Sequence, residues 1–125
     1  MTGRSENLIR VWAGILLSAL MFATGCRSHH VETTVENRTG TAIQLLEVDY
    51  PSASFGADGL ADGADLHYRI QIQGTGGLKV QYTAPGGHHV QISGPTLSEG
   101  QQGGLEVVLL PGGMAEFHPH LNPGV

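Results

Sequence analysis

The residues most able to do chemistry are seven histidines: His29, His30, His67, His88, His89, His118 and His120. Neutral imidazole is a common ligand for copper and zinc, and it changes charge near neutral pH. His118 and His120 have the spacing to act together. In an extended chain, residues two apart face the same way, and Pro119 between them stiffens the pair. A copper or zinc site is therefore expected, if anywhere, at His118 and His120. His88 and His89 would point to opposite sides. His67 and His89 fall on the polar faces of strand-like runs. If successive runs pair as hairpins, the two lie two strands apart, about 9–10 Å at ~4.8 Å per strand. That is too far to share one metal held at ~2.0 Å from each nitrogen. The competing reading, which we favour, makes the histidines solvated surface and turn residues.

Other chemistries find less. The 52–65 segment reads as a loop and carries Asp58, Asp62 and Asp65. Calcium loops place oxygen ligands at alternate positions and end on a further acid. Here the spacings are four and three, and Asp58-Gly59 and Asp62-Gly63 are ordinary turn pairs. The glycines at 74, 76 and 77 lack what a phosphate loop requires, a strand leading into a helix and a lysine followed by serine or threonine. Serine, histidine and aspartate are all present. No local motif joins a nucleophile, a base and an orienting group, and the carboxylates show no glycosidase pairing. The expectation is a protein that is not an enzyme.

Cys26 is the only cysteine. That rules out a disulfide within the chain and a cysteine-based zinc cluster. The residues before it suggest a different use. Arg4 and Arg10 make a positive start, residues 11–22 are almost wholly apolar, and Ala23, Thr24 and Gly25 are small. About twelve residues at ~1.5 Å rise give roughly 18 Å of helix, well short of a ~30 Å hydrocarbon core. The run therefore suits the apolar part of a signal peptide better than a membrane span. This order of apolar run, small residues and cysteine resembles the lipobox of bacterial lipoproteins, with Ala23 where leucine is usual.

The resemblance implies a signal peptide over residues 1–25, cut between Gly25 and Cys26. It implies a covalent lipid on the Cys26 thiol and acylation of the new amino group. Two or three acyl chains together hold essentially permanently, at ~0.8 kcal/mol per buried methylene. The alternative is a plain signal peptide cut near Ala23, which would leave an exported thiol open to oxidation. In the family's sorting rule, an aspartate after the cysteine retains the protein in the inner membrane. Arg27 stands there instead, which implies the periplasmic face of the outer membrane.

Residues 26–30 then form the lipid anchor and a short tether. Arg27, Ser28, His29 and His30 reach at most ~14 Å. A folded domain on that tether stays near the headgroups, and a partner must come to it. Of eleven acids and six strong bases in the chain, one acid and two bases precede Cys26, which leaves ten against four and a balance of −6. An acidic surface without basic clusters argues against nucleic acid as a partner. The remaining length suits one domain with a modest core.

The elements that must position these residues read as short strands. Val31, Thr33 and Val35 alternate with Glu32, Thr34 and Glu36, and the turn signal Asn37-Arg38-Thr39-Gly40 follows. In the next run Leu46, Val48 and Tyr50 share one face while Ile43 and Leu45 fall on the other, which calls for cover on both sides or for a bulge. Further alternating runs lie at 66–73, 78–83, 90–92 and 105–109, and a short piece at 114–117 ends the pattern. The breaks at 74–77, 85–87 and 111–113 have hairpin length. About seven strands, with no helical period, indicate an all-β fold, a single antiparallel β-sandwich over 31–118 with a tail over 119–125.

The spacing resembles the immunoglobulin-like and fibronectin-like domains of exported bacterial proteins. Leu60-Ala61-Asp62-Gly63 is similar to their Leu-x-Pro-Gly turn, with Asp62 in place of proline. Such a scaffold does not by itself carry a function. The functional expectation is a membrane-anchored lipoprotein of the bacterial cell envelope, a non-enzymatic interaction or structural module whose partners are the lipid bilayer and an envelope protein. The alternative is a periplasmic copper- or zinc-binding lipoprotein.

Overall fold

The computed structural model describes residues 29–123. Residues 1–25, Cys26 and the start of the tether lie outside the described residues. Eight strands follow one another: β1 (Val31–Asn37), β2 (Ile43–Tyr50), β3 (Ala53–Leu60), β4 (Asp65–Ile70), β5 (Gly76–Ala84), β6 (His88–Leu97), β7 (Gln102–Leu110) and β8 (Met114–Asn122). They form two four-stranded sheets, ordered β4-β1-β7-β8 and β3-β2-β5-β6. The expected all-β sandwich is present, with eight strands instead of about seven.

Period-two alternation builds both layers. Val31, Val35, Ile70, Leu105, Val107 and Leu109 of the first sheet meet Ile43, Leu46, Val48, Leu78, Val80, Tyr82 and Leu97 of the second, all buried. A leucine-to-alanine change in such a core costs about 2–5 kcal/mol. One open side, between β3 and β4, is closed by Phe55 stacked on Tyr68, with ring centroids 4.7 Å apart and planes 3° from parallel. Tyr68 belongs to the inward-facing set of β4. It remains half exposed because β4 is an edge strand.

Two of the three expected hairpins form. Ala84 pairs with His88 and Leu110 with Met114, across the three-residue loops Pro85-Gly86-Gly87 and Pro111-Gly112-Gly113. In both loops the two glycines take positive φ, which a side chain would resist. The 74–77 break is not a hairpin. β4 ends in one sheet and β5 begins in the other, so residues 71–75 cross between layers, with Ile72 buried on the way. His67 and His89 therefore stand on different sheets, not two strands apart in one.

Three further features depart from the sequence reading. The 52–65 segment holds β3; Gly56, Asp58 and Gly59 hide its alternation. The last strand runs on through Pro119 and His120 to Asn122, past the expected boundary at 118. Pro119 is tolerated because β8 is an edge strand, where one side of the backbone has no partner. The sandwich is also not wholly antiparallel, since β1 pairs with β7 in parallel. In immunoglobulin domains the first two strands share a sheet; here β1 and β2 lie in opposite sheets.

The chain enters and leaves at one pole, where Val31 of β1 and Leu121 of β8 both pair with Gly103. The opposite pole is organised by Asn37, fully buried at the end of β1. Its Nδ2 donates to the carbonyls of Thr41, Leu60 and Ala61 at 2.8–3.1 Å. Its Oδ1 accepts from the Thr39 backbone N–H and hydroxyl. Its own backbone N–H donates to Ala64, and its carbonyl accepts from Gly63. One side chain thus ties the β1–β2 loop to the β3–β4 loop.

Candidate functional site

β2 carries one residue too many for its neighbour. Gln44 pairs with Thr83 and Glu47 with Gln81, so Leu45 and Leu46 together face one residue of β5. This is a β-bulge. Leu45 takes the left-handed backbone conformation, at φ 52°, which costs a residue with a Cβ about 1–2 kcal/mol. The bulge resolves the conflict in the sequence pattern, because Ile43 before it and Leu46 and Val48 after it all reach the core. Leu45 is turned outward and is 64% exposed.

β3 adapts to the bulge. The Leu46 carbonyl lies where a Cβ on residue 56 would stand, so only glycine fits there. A missing side chain beside an outward leucine leaves an open hollow of about 550 Å³, lined by Leu45, Leu46, Glu47 and residues 54–58. Glu47, Ser54 and Asp58 are exposed around it. A smaller concavity of about 250 Å³, beside the 85–87 hairpin, is lined by Ala42, Gln44 and residues 83–87, none of them titratable.

The hollow borders an acidic patch. The Glu47 carboxyl is held above the usual glutamate range, first by a hydrogen bond shared with Asp49 and then by that neighbour's charge. Lys79 and Gln81 offset part of this. Gln81 Nε2 donates to Glu47 at 3.1 Å and to Asp49 at 3.3 Å, and Lys79 Nζ lies 3.6 Å from Asp49. Tyr50, beside Phe55, has its hydroxyl pKa pushed up by burial and then by Tyr68.

The sequence-derived candidates are dispersed. His118 and His120 do share the outward face of β8, opposite Glu106 and Gly104 of β7. His118 contacts Glu116 at 3.3 Å. Across the first sheet the row reads His67, Thr34, Glu106, His118, which separates its two histidines by three strand spacings, about 14 Å at ~4.8 Å each. His67 Nδ1 lies 3.1 Å from the Thr34 hydroxyl, and His29 Nδ1 lies 3.2 Å from Gln102. His88 and His89 are exposed beside the 85–87 hairpin. Among the described residues, no group of three or more His, Cys, Asp or Glu side chains converges as a metal site would require.

The three aspartates weighed for calcium part in the same way. Asp58 is on β3 and Asp65 on β4, while Asp62 accepts a hydrogen bond from the Gly40 backbone N–H at 3.1 Å. Gly25 and Cys26 lie outside the described residues. The hollow was not among the sequence candidates. Its one sequence signal was the adjacent Leu45-Leu46 pair, which breaks the alternation. No protein-family model, curated protein or solved structure matches this chain.

Proposed function

We propose that the protein is a lipoprotein of the bacterial cell envelope, a non-enzymatic interaction or structural module anchored through a lipid on Cys26. The observation that carries the reading is the order of residues 4–26: positive start, apolar run of signal-peptide length, small residues, then the chain's single cysteine. β1 begins at Val31, five residues on from Cys26, so a lipid there would hold the pole at which the chain enters close to the headgroups. The loops around Asn37 and both Pro-Gly-Gly hairpins would then point away from the bilayer. Arg27 after the cysteine favours the periplasmic face of the outer membrane.

A module of this kind works by presenting surface. The exposed Leu45 and the hollow beside it are the feature best suited to that, since an outward leucine in a costly backbone conformation does nothing for the core. The test of the anchor is Cys26→Ala in the full chain. The variant is expected in the soluble fraction, while the parent stays with membranes through a carbonate wash. Retention of the variant after that wash would overturn the reading.

A further inference from the structure

We infer that β3 is a docking edge, and that its occupant is an extended segment of a partner protein bearing basic and apolar residues in alternation. This rests on the reading of the chain as an interaction module and names the surface and the chemistry it would use.

The two sheets have four edge strands, β4, β8, β3 and β6. An edge strand offers unpaired backbone N–H and C=O groups to any extended chain, and proteins blunt such edges with proline, charge or brevity. β6 carries Pro95 and β8 carries Pro119. β4 is the shortest of the four, six residues that include Asp65, His67 and Arg69. β3 has eight residues, Ala53–Leu60, with no proline and one charged residue, Asp58. It is the least protected of the four edges, and it is the edge beside the hollow.

A peptide added along β3 would pair with its backbone and place alternate side chains over the outer face. A side chain passing Gly56 enters the hollow, meets Leu45, and comes up against Glu47 and Asp58. Apolar contact with carboxylates around it suits a lysine or arginine, whose alkyl stem lies on the leucine while its charged end reaches the acids.

A second copy of this chain fits less well. Its β3 would bring another Asp58 and another acidic patch. The three strong bases among the described residues, Arg38, Arg69 and Lys79, already lie 2.8–3.6 Å from Glu36, Glu32 and Asp49. Among the described residues the strong bases are already matched, which favours a different protein as the source of the complementary charge.

The test uses the full chain, extracted from membranes in a non-ionic detergent. Two fluorescent seven-residue probes are compared by anisotropy, one alternating lysine and valine, the other glutamate and valine. The lysine probe is expected to bind, and to weaken as salt is raised. The glutamate probe is expected not to bind. Leu45→Gly relieves the left-handed leucine and leaves a folded chain, yet it should weaken lysine-probe binding at least tenfold. Glu47→Gln with Asp58→Asn should do the same.

No binding, equal binding of the two probes, or unchanged binding to both variants overturns the inference. So does a concentration-dependent dimer that competes with the probe, since that makes a second copy the occupant. A photocrosslinker placed in cells at Ser54, and separately at Gln91 on β6, distinguishes the two levels of the argument. Capture of an envelope protein from Gln91 alone, with no probe binding, overturns the docking edge and leaves the interaction module standing. Capture from neither position counts against the interaction module itself.

Discussion

Asn37 and Leu45 both sit where a strand of this sandwich departs from regular geometry, and they use the departure in opposite ways. Asn37 ends β1 fully buried, and its side chain serves five hydrogen bonds to two loops. Leu45 interrupts β2 with its side chain 64% exposed and its backbone in a conformation that leucine resists. Removing either changes the irregularity, but only Asn37 returns stability for it. An irregular position that satisfies its neighbours is part of the scaffold. One that leaves an apolar side chain in water at a cost in stability is the better place to look for function.

The comparison can be broken by experiment, most sharply at Asn37. Asn37→Ala leaves the buried Leu60 carbonyl and several half-buried groups without their partner, and unpaired buried groups cost ~1–3 kcal/mol each. The expected loss is about 3 kcal/mol by urea unfolding. Asn37→Asp should fare no better, because it keeps the acceptor and loses the donor that faces three carbonyls. A loss under about 0.5 kcal/mol, the range of ordinary surface changes, would show that the loops hold themselves.

At Leu45 the sign should reverse. Leu45→Gly gains from relief of the left-handed leucine and loses part of that to the freer unfolded chain. The net expectation is a stabilisation of about 0.5 kcal/mol. A variant clearly less stable than the parent would mean that the leucine is held by contacts within the domain, and the contrast with Asn37 would disappear.

The smallest effect is electrostatic. Followed by carboxyl NMR, Glu47 should titrate above the ordinary glutamate range, and Asp49→Asn should bring it back. The sign follows from linkage. A carboxyl whose pKa is raised by folding favours the folded state when protonated, so its contribution improves as pH falls through that raised pKa and is lost as pH rises through it. An ordinary titration of Glu47 would remove the coupling to Asp49.

The sheets were legible in the sequence where alternation is clean, as in Val31-Glu32-Thr33-Thr34-Val35 and Leu78-Lys79-Val80-Gln81-Tyr82. Both Pro-Gly-Gly hairpins were legible too, because the turn chemistry is local. β3 was not, since Gly56 exists for a carbonyl on another strand and breaks the pattern along its own. The sheet-to-sheet crossing over 71–75 was hidden because the glycine-rich 74–77 stretch suits a hairpin as well as a change of layer. The hollow lay further out of reach. The break in alternation at Leu45-Leu46 left cover on both sides and a bulge equally open, and the free edge beside it is a property of strand order, which no local pattern encodes. The histidines illustrate the reverse. His118 and His120 do share a face, as their spacing indicated, yet the cross-strand partners that would complete a metal site depend on register.

The parallel pairing of β1 with β7 has a consequence in time. Val31 waits for Gly103, and Asn37 waits for Leu109. The central strand of the first sheet therefore cannot complete its pairing until nearly the whole chain is available. Contacts of such long sequence separation slow folding. β1 and β4 can meet early, while the core face they share stays open. A chain emerging from its amino terminus would thus remain loosely closed until its last third arrived.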